Sequence, residues 1–256
     1  MIKFTIQHIK DFKKDKQSFA ALTAYDYTSA QILNEAQIPL ILVGDSASMM
    51  IYGYDTTLPV SMDEMLFVVK AVSRGAKHSL VVADMPFLSY QPSAEVAIKN
   101  AGILLKEGGA SAVKLEGGVN ITKHVECLVN HGIPVLGHVG LTPQSYHQLS
   151  GYKIQGKTPD SAQKIVDDAL ALEGAGAFGV VLECIPDSLA KQITNTLNVP
   201  TIGIGSGKYC DGQIQVFHDV LGYSSFAPPK HAMQYQNMYS RVLDVVKKYK
   251  SDVAKQ

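Results

Sequence analysis

Residues 112–139 read AVKLEGGVNITKHVECLVNHGIPVLGHV. The stretch holds one complete structural unit. A short apolar run, Ala112 to Leu115, leads through an amphipathic segment, Ile121 to His131, to a second apolar run, Pro134 to Val139. Short runs rich in Val, Ile and Leu read as strands, and the spacing between them is helical. Both runs are apolar throughout instead of alternating, so both faces of each strand must be buried. Parallel sheet covered by helices meets that demand.

The same unit recurs on either side. Further strand candidates are Phe19 to Ala24, Pro39 to Val43, Leu80 to Ala83, Phe178 to Leu182 and Thr201 to Ile204, with a weak eighth near Val220 to Tyr223. Predicted helices are Thr28 to Gln37, Met62 to Arg74, Ala94 to Glu107, Ser161 to Ala175 and Asp187 to Leu197. Ser61 with Glu64 three residues on forms a capping-box start, and Pro186 opens another helix. About eight strand–helix units with no Pro/Ser-rich linker match a (β/α)8 barrel. An open doubly wound sheet would favour a Gly-rich turn after the first strand, where the chain reads Leu22-Thr23-Ala24-Tyr25-Asp26-Tyr27. The expectation is a single barrel domain over 1–256 whose tail, from Gln234, is helical.

Lys plus Arg and Asp plus Glu each total 23, so no overall field draws a polyanion or a membrane surface. Nucleic acid is therefore not an expected partner. The three cysteines, Cys127, Cys184 and Cys210, form no CxxC pair and suit a reducing compartment. Lys3, Lys10, Lys13, Lys14 and Lys16 break up the first residues, and no apolar run approaches the roughly 20 residues of a membrane span. A cytoplasmic protein is expected.

In a parallel barrel the strand ends converge on one mouth, so polar residues directly after apolar runs are site candidates. Five strands supply them: Asp45, Asp84, Glu116, His138 and Glu183. Taken singly, Asp45 could cap a helix, Asp84 could serve a turn, and His138 could be a satisfied core histidine. Taken together they fall at one rim. Carboxylates gathered there repel unless a cation or shared protons compensate, and the array favours a hard divalent ion, Mg2+ being the economical choice. A 2-oxo acid could chelate such an ion, and the metal would stabilise its enolate as a Lewis acid.

Lys114 stands two positions before Glu116, so in a regular strand both side chains face the same way. A buried Lys needs a partner: metal-site acids or a substrate carboxylate if it is functional, or a purely structural ion pair if it is not. Glu183, in an apolar setting, is the general-base candidate, whereas Cys184 reads as a small buried hydrophobe. Gly203-Ile204-Gly205-Ser206-Gly207 could bind phosphate or simply make a tight strand exit.

Ordered blocks from Ala21 to Tyr223 resemble the ketopantoate hydroxymethyltransferases. The blocks include Val43-Gly44-Asp45-Ser46, Ala83-Asp84-Met85-Pro86-Phe87, Val113-Lys114-Leu115-Glu116-Gly117-Gly118, Gly137-His138-Val139-Gly140-Leu141-Thr142-Pro143-Gln144 and Leu182-Glu183-Cys184. The resemblance implies a barrel of the phosphoenolpyruvate/pyruvate superfamily, acting in pantothenate synthesis with Mg2+ and 5,10-methylenetetrahydrofolate as co-substrate. It implies Asp45, Asp84 and Glu116 as metal residues, and Asp45, Ser46, Asp84 and Lys114 as oxo-acid contacts. Glu183 would be the proton acceptor and His138 a pocket residue near the reacting carbon. A cytoplasmic homodecamer of two five-membered rings is implied as well. The chain departs from the family pattern at Ala47-Ser48, at Ser150 where Gly is common, and at Ser206 where Ala is usual. Two rival readings are a Mg-dependent 2-oxo acid lyase and a catalytically inert barrel subunit.

Overall fold

The computed structural model describes residues 3–255. The chain divides into two compact units, Met1–Ile214 and Gln215–Gln256, each described by itself.

Eight parallel strands close into a barrel in chain order. They are β1 Phe19–Thr23, β2 Leu40–Val43, β3 Leu80–Asp84, β4 Ala112–Glu116, β5 Val135–Gly140, β6 Gly179–Glu183, β7 Thr201–Ile204 and β8 Gly212–Gln215. The helices of the first unit are α1 Ile6–Lys14, α2 Tyr27–Glu35, α3 Ala47–Met50, α4 Met62–Gly75, α5 Ala94–Lys106, α6 Thr122–Asn130, α7 Tyr146–Leu149, α8 Pro159–Gly174 and α9 Asp187–Thr196. The capping box read at Ser61 and Glu64 starts α4.

Seven strands lie where the apolar runs predicted them, and the barrel is the expected one. The eighth does not. Val220 to Tyr223 belongs to the end of a short helix and the turn after it, and the barrel is completed by Gly212–Gln215. The reason is local. β7 passes to β8 without an intervening helix, so the outer side of β8 is left uncovered and Gln213 is exposed. Its inner side contributes Ile214 to the core. A strand with one wet face alternates polar and apolar, and Gly-Gln-Ile-Gln carries too little apolar signal to stand out.

A residue cluster at the strand beginnings fills one end of the barrel. Phe19, Leu40, Leu80, Leu136 and Phe178 meet Ile9 of α1, which is fully buried there. α1 starts from a capping box in which Thr5 pairs with His8. One end is thus plugged by α1, leaving the strand C-termini as the place where polar side chains collect.

In the second unit, α10 Phe217–Leu221 ends at Gly222, whose φ of 59° is left-handed backbone that glycine adopts readily. α11 Met238–Val253 follows, starting four residues later than the expected tail helix. His218 and Tyr223 stack with centroids 5.7 Å apart, and the Tyr235 and Tyr239 amides donate to the carbonyls of Val220 and Gly222.

Candidate active site

Asp84, Glu116 and Glu183 are the last residues of β3, β4 and β6. His138 lies within β5, and Asp45 stands two residues beyond β2. Strand register brings them together: Asp84 pairs with Lys114 on β4, and Glu116 pairs with His138 on β5. The apolar runs that bury both faces of the strands therefore also fix which polar residues meet.

Lys114 is the hub. Its Nζ lies 3.3 Å from Asp84 Oδ1, 3.5 Å from Glu116 Oε1 and 3.0 Å from His138 Nδ1. His138 Nδ1 is 3.5 Å from Glu116 Oε1, and its Nε2 faces Glu183 Oε2 at 3.2 Å. The Asp45 amide donates to Asp84 Oδ2 at 2.9 Å. Ser46 turns its Oγ to the Tyr25 hydroxyl at 2.7 Å. The Glu183 side chain keeps 15% of its surface exposed against 2% for Glu116, so it is the acid a substrate can reach.

Close contact of β5 and β6 makes the His138–Glu183 pair possible. The Leu141 amide donates to the Glu183 carbonyl at 2.8 Å. Gly140, at φ 95°, passes so near that carbonyl that a Cβ would collide with it.

Burial dominates the electrostatics. It lifts Asp45 well above the ordinary carboxylate range, with Asp84 and Glu116 adding to the effect. Burial raises Asp84 too, although Lys114 pulls the other way. For Glu116 burial also acts upward, but Lys114 and His138 together outweigh it and the net direction is down. Lys114 goes up, because its acids outweigh its own desolvation. Burial and the Lys114 charge disfavour a charged His138, yet Glu116 and Glu183 lift it to about 9. Neutral His138 accepts from Lys114 at Nδ1, whereas the charged ring must turn both N–H groups to Glu116 and Glu183.

The ketopantoate hydroxymethyltransferase family matches residues 3–256. A 3-methyl-2-oxobutanoate hydroxymethyltransferase of Carboxydothermus hydrogenoformans is 53% identical over 256 residues, covering 100% of this chain and 93% of that protein. The chain belongs to the ketopantoate hydroxymethyltransferase family. A like-named enzyme of Clostridium beijerinckii is 49% identical, covering 98% of this chain and 92% of its own. Among solved structures, 2,3-dimethylmalate lyase, of the PEP mutase/isocitrate lyase superfamily, aligns over 100% of both chains with TM-score 0.63 and 16% identity. The phosphoenolpyruvate phosphomutase of Streptomyces platensis subsp. rosaceus aligns over 98% of this chain and 88% of its own, with TM-score 0.66 and 12% identity. At such identities these two establish the fold.

The acid cluster of this member of the ketopantoate hydroxymethyltransferase family offers oxygens that a divalent ion could take. Asp84 Oδ1 and Glu116 Oε1 are buried with no hydrogen-bond partner among the described residues, Asp84 Oδ1 being paired in charge with Lys114 and Glu116 Oε1 with Lys114 and His138. Burial raises Asp45 and Asp84, so both acids hold a proton more readily than exposed carboxyls do, and a divalent ion bound there would take the proton's place. No three such side chains among the described residues form a ready-made cage. Mg2+ does not require one, since it keeps several waters and uses one or two carboxylates. The donor set fits the ion.

Two residues of the cluster went unnoticed as site candidates in the sequence. Gln144, just beyond β5, is buried against Asp45 and Glu116, and its amide meets the buried Tyr90 hydroxyl at 2.9 Å. Neither carries a charge, so neither gives the acid-after-strand signal; the nearest sequence cue is the Leu141-Thr142-Pro143-Gln144 block.

Two neighbouring features are structural: the Gly-rich segment, for which a tight exit was one of two readings, and Cys184, a buried residue as expected. Ser206 donates to the Leu182 carbonyl at 2.6 Å and is 1% exposed, so the Gly-rich segment makes a tight exit from β7. Cys184 has its thiol pushed up to about 12 by burial and by the Glu183 charge, as an unreactive thiol should.

Proposed function

We propose that this chain transfers the one-carbon unit of 5,10-methylenetetrahydrofolate to 3-methyl-2-oxobutanoate, giving 2-dehydropantoate for pantothenate synthesis. One observation carries the reading: in a chain of this family, four acids, a lysine and a histidine supplied by five strands converge at one mouth, and Glu183 is the least buried acid among those paired there. Asp45, Asp84 and Glu116 would hold Mg2+, with Asp45, Ser46, Asp84 and Lys114 contacting the oxo acid. When bound, the ion supplies Lewis-acid polarisation of the keto group, which acidifies the neighbouring C3 hydrogen.

Glu183 takes that proton. His138 Nε2, 3.2 Å from Glu183 Oε2, orients the carboxylate toward the reacting carbon. The Lys114 ammonium faces the negative charge that develops on the oxo acid. The burial of its partners keeps water from screening it. The enolate carbon forms the new C–C bond to the one-carbon unit, whose two C–N bonds break; water supplies the hydroxyl group, and tetrahydrofolate leaves with one hydrogen from that water and the one taken from C3.

No helix among the described residues is long and apolar enough to cross a membrane. A cytoplasmic enzyme working as a homodecamer remains the proposed setting. So does a single barrel domain with a helical tail: the boundary between the two units falls inside β8, and no linker separates them.

The test is exchange of the C3 hydrogen of 3-methyl-2-oxobutanoate for deuterium, with Mg2+ and without folate. Wild type is expected to exchange. Glu183→Gln is expected to bind the oxo acid and lose about 10²–10⁴-fold in exchange rate, the usual contribution of a general base. Exchange at the wild-type rate in Glu183→Gln would remove that residue from its role.

A further inference from the structure

The side-chain amide of Gln144 makes every hydrogen bond open to it. Nε2 donates to Asp45 Oδ2 at 3.0 Å and to the Met85 carbonyl at 2.8 Å. Oε1 accepts from the Tyr90 hydroxyl at 2.9 Å and from Gln91 Nε2 at 3.1 Å. The orientation is fixed, because a flipped amide would set oxygen against the Met85 carbonyl and NH2 against the Gln91 NH2. The backbone amide of the same residue donates to Glu116 Oε2 at 3.0 Å.

Gln144 therefore grips one oxygen of Asp45 and one of Glu116, acids that come from different strands. For Glu116 the consequence is direct. With Oε2 held, Oε1 is the oxygen left turned toward Lys114 and His138, each 3.5 Å away, without a formed hydrogen bond. Tyr90 braces the arrangement: its hydroxyl accepts from the Glu116 amide at 3.1 Å and can donate to Gln144 Oε1 or to the Glu116 carbonyl at 2.9 Å. The phenol stays protonated, since burial and the neighbouring Glu116 push it well above its ordinary range.

We propose that Gln144, braced by Tyr90, is a positioning residue that sets Asp45 and Glu116 in the orientation in which they hold a divalent cation. The inference rests on the metal reading given under the proposed function. Groups that orient metal ligands in this way typically cost 10–100-fold in metal affinity when removed.

The experiment titrates Mn2+ alone, without substrate, into wild type, Gln144→Met and Tyr90→Phe, following the electron paramagnetic resonance signal of unbound Mn2+. Circular dichroism establishes folding at the same temperature. Folded Gln144→Met is expected to bind Mn2+ about 10–100-fold more weakly than wild type. Tyr90→Phe, which removes the hydroxyl that braces Gln144 Oε1 and accepts from the Glu116 amide, is expected to weaken binding about fivefold. The KM for the oxo acid in the exchange assay should rise in step. Folded variants with wild-type Mn2+ affinity would overturn the inference, leaving Gln144 a packing residue. If Gln144→Met does not fold, Tyr90→Phe decides alone by the same criterion. A wild type that binds no Mn2+ removes the metal reading and this inference with it, an outcome seen in the wild-type arm before any variant is measured.

Discussion

Lys114 is buried with its ammonium within 3.5 Å of oxygens from both Asp84 and Glu116. Breaking a buried pair from one side leaves a charge with no partner, which costs about 3–5 kcal/mol. Lys114→Met should therefore melt well below wild type in EDTA. A divalent ion bound by the same acids would replace the lost charge, so excess Mg2+ should raise the melting temperature of the variant more than that of wild type. Calorimetry with and without Mg2+ checks this; an equal Mg2+ response in both proteins would deny that the ion takes over the charge of Lys114, and no response in either would deny that the acids bind it. The sequence disclosed this lysine because a charged residue in an apolar strand is conspicuous. It did not disclose Gln144, whose significance lies in contacts with Asp45 and Met85, both more than fifty positions away, and whose residue type is ordinary in a loop.

Individual elements were legible in the sequence in proportion to how completely their surroundings bury them. Strands β2, β3 and β4 are buried at every position and were found within a residue or two. β8, with an exposed outer face, was missed. Ser150, where the family pattern has Gly, sits at the end of α7 with φ 55°, the left-handed backbone that explains why glycine suits the position. α10 offers a test of burial at this scale. Asp219 in its first turn is 4% exposed, and Oδ1 has no hydrogen-bond partner among the described residues. Burial raises its carboxyl above the ordinary 3.8, with His231 opposing in part. A raised folded-state value means that the stability Asp219 contributes is fully present below pH 3.8 and is lost as pH rises through the folded value. At neutral pH the charged group therefore works against the fold. Asp219→Asn should melt above wild type at neutral pH, and the gap should close as the pH falls toward 3.8. A gap independent of pH, followed by thermal melts across that range, would assign the effect to shape instead of charge.

For the whole molecule, the balance of 23 basic and 23 acidic residues sets no long-range repulsion between copies. α11 adds apolar surface: Val242, Val246, Tyr249 and Val253 recur at helical spacing and are all exposed. A contiguous apolar stripe of this kind is surface that oligomers commonly bury, and closed symmetry is the usual way to do so. The proposed homodecamer then has a definite mass, about 280 kDa for ten copies of the 27.7 kDa chain. Light scattering coupled to size-exclusion chromatography should find that mass. Because the attraction would rest on apolar contact between neutral molecules, the mass should hold between low and high salt. A species near 27.7 kDa at both ionic strengths would end the decamer reading, while a mass that fell as salt rose would place the contacts among charged side chains and not on an apolar face.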